Sequence, residues 1–194
     1  MRTVVLLDNG SSRAESTLSL RRLASALAER VGEQVHPVSL LHASRVPAGD
    51  LGGRPADTLE PFLRRRVAEG ARDFLILPLF FGRSGALTGF IPDKAAAVRR
   101  DLGPFALRLA DVLCPLPEGE PRLARILADN VRRVARDRGL DSRRVVLVDH
   151  GSPLPEVNQV RRVLAEHLRQ DLGGRTVLDE AVMERRAGSE YDFN

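Results

Sequence analysis

The sequence predicts an α/β protein built on parallel β-sheet, in which one structural unit is begun twice. Two observations carry this. Residues 4–27 align without a gap to residues 145–168, and eleven of the twenty-four positions are identical, among them Val-Val-Leu, an Asp and a Gly-Ser pair. Such self-similarity marks a repeated structural unit. Short aliphatic runs also alternate with longer amphipathic ones along the chain, the pattern of strands joined by right-handed crossover helices.

The elements follow in order. Thr3–Leu7 is a short β-branched and aliphatic run suited to a parallel strand covered on both faces. Leu18, Leu20, Leu23, Leu27 and Val31 recur near 3.6-residue spacing, and Gly32 closes that helix. Gln34–Leu41 reads as the second strand, Ser44–Pro55 as a loop rich in Pro and Gly, and Thr58–Gly70 as a helix. Asp73–Phe80 is the third and most apolar strand, followed by a glycine-rich loop over 82–89. A helix over Ile91–Leu102 begins at Pro92, Phe105–Leu109 is strand four, and Pro121–Gly139 is a long helix. The second unit opens with the strand Arg144–Asp149 and its helix, then Thr176–Met183, then a polar tail. This divides the chain into a first lobe over 1–140 and the start of a homologous one over 141–194. The second lobe has no counterpart of strand three. Further chain or a second copy is expected to complete it.

Composition narrows the function classes. Hydrophobic residues make up 43% and charged residues 29% of the 194, the balance of a globular protein. The apolar run Phe74–Phe81 is too short to span a bilayer. Met1-Arg2 leads straight into Val4–Leu7 without a leader-like pattern, so the cytoplasm is the expected compartment. Cys114 is the only cysteine, which excludes an internal disulfide and a Cys-rich metal site. Any metal must be held by His and carboxylates. Lys94 is the only lysine among thirty basic residues. Codon bias accounts for most of the arginines, and an anionic partner would also use their forked guanidinium. Aromatics are 4% and Trp is absent, so nucleic acid is not the expected partner. Arg64-Arg65-Arg66 reads as a solvated helix face.

In an open parallel sheet the ligand crevice lies beyond the carboxyl ends of the strands. Asn9, His42, the loop after Phe81 and His150 fall there, with Glu184 at the end of the last strand. With a one-residue gap at Gly173-Gly174, His42 aligns with Glu184. The sharper pair is His150 with Glu184, because a neutral imidazole binds a first-row divalent ion or accepts a proton, and a carboxylate completes either task. His150 alone reads equally as a strand-end residue with local hydrogen bonds. Gly10-Ser11 and Gly151-Ser152 either aim N–H groups at a substrate carboxylate or are tight turns with a helix cap. His36 and His167 read as structural.

Val-Asp-His-Gly-Ser at 148–152, with Glu156 and Asn158 after it, and Leu-Asp-Asn-Gly-Ser at 7–11 resemble the sirohydrochlorin chelatases of the CbiX and SirB type. So does Leu-Pro-Leu-Phe-Phe-Gly-Arg at 77–83 with Ile91-Pro92. The resemblance implies a chelatase-like fold, with a four-stranded parallel sheet flanked by helices in each of two lobes that face one cleft. It implies insertion of Co²⁺ or Fe²⁺ into sirohydrochlorin or a related tetrapyrrole, with the metal as substrate and no organic cofactor. The family's motif His falls on Asn9 and His150, and its strand-two Glu on His42 and Glu184. Its second His falls on Ser84, or on nothing if the loop shifts the alignment. The implied catalytic pair is therefore His150 and Glu184, and the implied metal ligands are His150, His42 and Glu184. Gly10, Ser11, Arg83, Ser84, Gly151 and Ser152 are the implied substrate-binding residues. A substrate with eight carboxylates gives the arginines a role. Asn9 and Ser84 favour a second reading, a non-catalytic chelatase-like protein that binds tetrapyrrole or metal. A nucleotide-binding module using Gly10-Ser11 is a distant third, because no Gly-x-Gly-x-x-Gly or Gly-Lys-Ser/Thr motif is present.

Overall fold

The computed structural model describes residues 2–152 and 154–183. They divide into two compact units, one running to Phe80 and over Gly85–Val112, the other holding Phe81–Ser84 and the residues from Leu113 on.

The first unit is a four-stranded sheet in the order β2-β1-β3-β4, formed by β1 (Thr3–Asp8), β2 (Val35–Ser39), β3 (Asp73–Pro78) and β4 (Ala106–Leu109). Every pairing is parallel. Alternation along β1 distributes its side chains to two cores. Val4 and Leu6 join Leu20 and Ala24 of α1 (Ala14–Val31) on one face. Val5 and Leu7 join Leu59, Phe62, Leu63 and Val67 of α2 (Leu59–Ala68) on the other, with Ile91, Ala95 and Val98 of α3 (Ile91–Leu102). Burying each of the Val, Leu, Ile and Phe side chains among these stabilises by about 1.5–3 kcal/mol. Gly32 ends α1 at φ +68, donating its N–H to the Ala28 carbonyl.

Two predicted boundaries shift for physical reasons. The second strand ends at Ser39 because the chain turns at His42, whose φ is +63. Leu40 and Leu41 still donate their N–H groups to the Asp8 and Asn9 carbonyls, at 2.8 and 3.2 Å. The predicted loop at 82–89 is helical in its second half: Ala86–Phe90 is a wide π turn running directly into α3.

The second unit holds a two-stranded parallel sheet of β5 (Arg144–Asp149) and β6 (Val177–Val182). Helices α4 (Pro121–Arg138) and α5 (Pro155–Leu172) bury Ala124, Ala128, Leu164, Ala165 and Leu168 against Leu178. Helix α4 falls in the predicted first lobe, yet it packs on α5 in the second unit. Strand β5 and helix α5 repeat β1 and α1 at the same spacing, residue for residue. Val5 and Leu7 are fully covered in the first unit, whereas their counterparts Val146 and Val148 are 54% and 49% exposed.

The strand registers correct one detail of the alignment. Val4 faces Val35, whereas Val145 faces Leu178. Counterpart positions on β2 and β6 are therefore one residue off the alignment that matched His42 with Glu184, and a one-residue slip reverses the face of a strand side chain. Glu184 itself lies outside the described residues.

No helix among the described residues is long and apolar enough to cross a membrane.

Candidate functional site

In the first unit the turn after β1 and the end of β2 touch. Leu41 donates to the Asn9 carbonyl, and Gly10 sits at φ +82 against Leu41. A Cβ at Gly10 would lie 1.8 Å from the Leu41 carbonyl oxygen, so no other residue fits there. This contact brings the exposed Asn9 and the exposed His42 to the same carboxyl edge of the sheet. A histidine at positive φ is a strained position of the kind found at functional sites. Beneath the turn, Asp8 is half-buried, and burial pushes its carboxyl above the usual range against the opposing hydrogen bonds from Ser39 and the Gly10 backbone.

In the second unit Gly151 repeats the φ of +82 seen at Gly10. His150 is exposed at the end of β5, the position Asn9 holds on β1. Its turn is tied down from below. Asp149 Oδ1 accepts the Gly151 N–H at 2.9 Å. Both Asp149 carboxylate oxygens also accept from Arg161 Nη1, at 3.0 and 3.1 Å. The Arg161 side chain comes from α5 and is 2% exposed. Its Nε donates to Glu180 Oε2 on β6 at 3.3 Å, and Glu180 Oε1 accepts from Arg169 at 2.8 Å. The buried Arg161 charge is thus paired with two carboxylates beneath the His150 turn, as a buried charge requires, and Glu180 is paired in turn with the exposed Arg169. Asn158, 2% exposed, donates to the Ser152 carbonyl at 2.8 Å.

Both Gly-Ser turns show local use of the serine hydroxyl. Ser11 Oγ accepts the Arg13 N–H and Ser152 Oγ accepts the Leu154 N–H, each at 3.1 Å. This is the tight-turn alternative at the helix entrance. Arg83 is exposed and Ser84 half-buried, in the segment that belongs to the second unit. Gly82 holds that segment on α5: a Cβ there would lie 2.7 Å from Val160 Cγ2.

His36 and His167 each have a local partner. The His36 ring lies 5.3 Å from that of Phe62, and burial with the nearby Arg66 charge pushes its pKa down. His167 Nε2 bonds the Glu118 carbonyl at 3.0 Å. Arg64, Arg65 and Arg66 form ion pairs with Glu60, Asp101, Asp57 and Glu69, as a solvated face does. A cavity of about 880 Å³ lies at the amino ends of the strands, lined by Arg2, Glu33, His36, Arg66, Asp73 and Arg108. Its arginines are paired with Glu33, Glu69 and Asp73, and it is at the wrong end of the sheet for the crevice. Among the described residues no group of three or more His, Cys, Asp and Glu converges to hold a metal ion.

The residues that sequence reasoning passes over are Asp8, Asp149, Arg161 and Glu180. One signal for them is the identity of Asp8 and Asp149 across the duplication. Another is that Arg161 occupies the position of the buried Leu20.

No family model matches the chain, and no curated protein matches it. Solved structures do. SirB from Bacillus subtilis with Fe³⁺ shares 14% identity at a TM-score of 0.63, with 97% of this chain and 68% of that one covered. The sirohydrochlorin chelatase SirB from Bacillus subtilis subspecies spizizenii, in complex with cobalt, shares 15% identity at a TM-score of 0.62. That match covers 93% of this chain and 66% of the other. The chain spans about two thirds of the length of these structures. At such identity the likeness is one of fold, and the fold is the chelatase-like fold of the SirB type.

Proposed function

We propose that this chain is a metallochelatase that inserts Co²⁺ or Fe²⁺ into sirohydrochlorin or a related tetrapyrrole. The observation that carries the reading is His150, exposed on a braced turn at the carboxyl end of a parallel strand in a chelatase-like fold. Insertion exchanges one divalent ion for the two inner N–H protons of the macrocycle. His150 suits both halves of that exchange, since a neutral imidazole holds such an ion loosely and takes up a proton near neutral pH. Glu184 is proposed as its carboxylate partner. Arg83 is proposed to attract the substrate carboxylates, with the backbone of Gly151-Ser152 near the ring edge. His42 and the backbone of Gly10-Ser11 are the candidate ligand and anion-binding groups of the first unit.

Asn9 supports a second reading. It stands where a histidine would serve in the first unit, and an amide neither accepts a proton near neutral pH nor competes with imidazole for Co²⁺. On that reading the chain binds tetrapyrrole or metal without joining them. Mixing the chain with sirohydrochlorin and Co²⁺ separates the two. Metal insertion, followed by the change in tetrapyrrole absorbance above the uncatalysed rate, is expected. Binding with no acceleration would establish the carrier reading.

A further inference from the structure

We infer that Arg161 is a positioning residue for His150, acting through Asp149 and the backbone of the turn. The inference rests on the reading of His150 as the group that meets the metal.

The chain of contacts is continuous. Asp149 Oδ1 accepts both the Gly151 N–H, at 2.9 Å, and Arg161 Nη1, at 3.0 Å. One carboxylate oxygen therefore links the backbone on the far side of His150 to a buried guanidinium. That guanidinium is fixed in turn, because its Nε reaches Glu180 on the neighbouring strand and Glu180 is held by Arg169. Arg161 thus ties α5, β5 and β6 to one point beneath the turn. Its 2% exposure keeps it from substrate, so its effect passes through Asp149.

The duplication supplies an internal comparison. Asp8 holds the position of Asp149, but the α1 residue at the position of Arg161 is Leu20, packed among Val4, Leu6, Ala24 and Val35. The unit with the clamp has His150 in the motif position, and the unit without it has Asn9. Groups that hold a metal-binding histidine in place tune its affinity, and here the clamp acts on His150 through Asp149 and the Gly151 backbone, which gives it a purpose beyond holding the fold.

The test uses the full chain and Co²⁺ alone, with the variants Arg161→Lys, Arg161→Met and His150→Ala, each checked for folding by circular dichroism. An ammonium reaches Asp149 but cannot span to Glu180 as well. In the metal-free chain, the Gly151 amide is expected to lose hydrogen-exchange protection in Arg161→Lys while amides in the middle of α5 keep theirs. Co²⁺ affinity is expected to fall about 10- to 100-fold in Arg161→Met, with Arg161→Lys recovering part of the loss. Should Arg161→Met not fold, Arg161→Lys against the parent carries the comparison. Unchanged Gly151 protection and unchanged Co²⁺ affinity in a folded Arg161 variant would overturn the inference and leave the His150 reading standing. Equal Co²⁺ binding by the parent and His150→Ala would instead remove that reading, whatever the amide of Gly151 does.

Discussion

Arg161 and Asp149, twelve residues apart on α5 and β5, meet through a single guanidinium nitrogen that lies 3.0 and 3.1 Å from the two carboxylate oxygens. The arginine side chain is almost wholly buried. Arg161→Met leaves Asp149 without its guanidinium, and because that carboxylate is partly exposed and keeps the Gly151 N–H, the expected loss of stability in urea unfolding is about 1–3 kcal/mol. The double variant with Asp149→Asn is expected to lose less than the two single losses combined, since the residues form one network. Additive losses would mean that the pair does not act as a unit.

The counterpart aspartate behaves differently. Burial raises the Asp8 carboxyl above the usual carboxylate range, and the α1 position that matches Arg161 holds Leu20 instead of an arginine. A raised folded-state value means that the folded chain binds the proton more tightly than the unfolded one. The associated stability is fully present below the unfolded value and is lost as pH rises through the folded one. Asp8→Asn removes this dependence. Relative to the parent, its thermal midpoint is expected to gain as pH rises from the ordinary carboxylate range through the raised folded-state value, and to level off above it. A difference independent of pH would rule the account of Asp8 out.

The two glycines Gly10 and Gly32 separate strain from close contact. Both have positive φ, but a Cβ at Gly32 meets nothing within 4 Å. Gly32→Ala is expected to cost about 1–2 kcal/mol, the left-handed backbone penalty alone. Gly10→Ala must also displace the Leu41 carbonyl, so its cost in denaturant unfolding is expected to be clearly larger. Equal costs would show that the turn can move away from β2.

Much of the fold is legible in the sequence because the repeat and the apolar runs report burial directly. Residues 4–7 and 145–148 are strands in both copies, and Gly10 and Gly151 share one backbone conformation. The ion cluster is harder to read. In a chain with one lysine and many arginines, Arg161 on an amphipathic helix looks like another solvated residue. Its spacing with Leu164, Ala165 and Leu168 places it on the buried stripe, but its carboxylate partners come from two strands whose register only the structure gives. His42 is likewise found by position and not by conformation, since nothing local in the sequence demands a positive φ at a histidine. The π turn at 86–90 hides in a glycine-rich stretch that reads as a loop.

Substrate capture has an electrostatic signature. If exposed arginines such as Arg83 receive the carboxylates of sirohydrochlorin, affinity is expected to fall as salt is raised from low ionic strength through the physiological range, where the screening length is about 8 Å. Arg83→Ala should reduce both the affinity and its salt dependence, measured by absorbance or fluorescence titration. A salt-independent affinity would remove the arginines from substrate binding.

On the proposed function, metal insertion depends on the histidine of the second unit and not on the residue at its counterpart position in the first. The direct measurement is cobalt insertion into sirohydrochlorin, followed by tetrapyrrole absorbance, for the parent, His150→Ala, Asn9→Ala and His42→Ala, with folding verified for each. The account predicts that His150→Ala loses insertion, Asn9→Ala retains nearly all of it, and His42→Ala falls between them. Full insertion by His150→Ala would contradict the account and move the site to the first unit, with His42 as its leading residue.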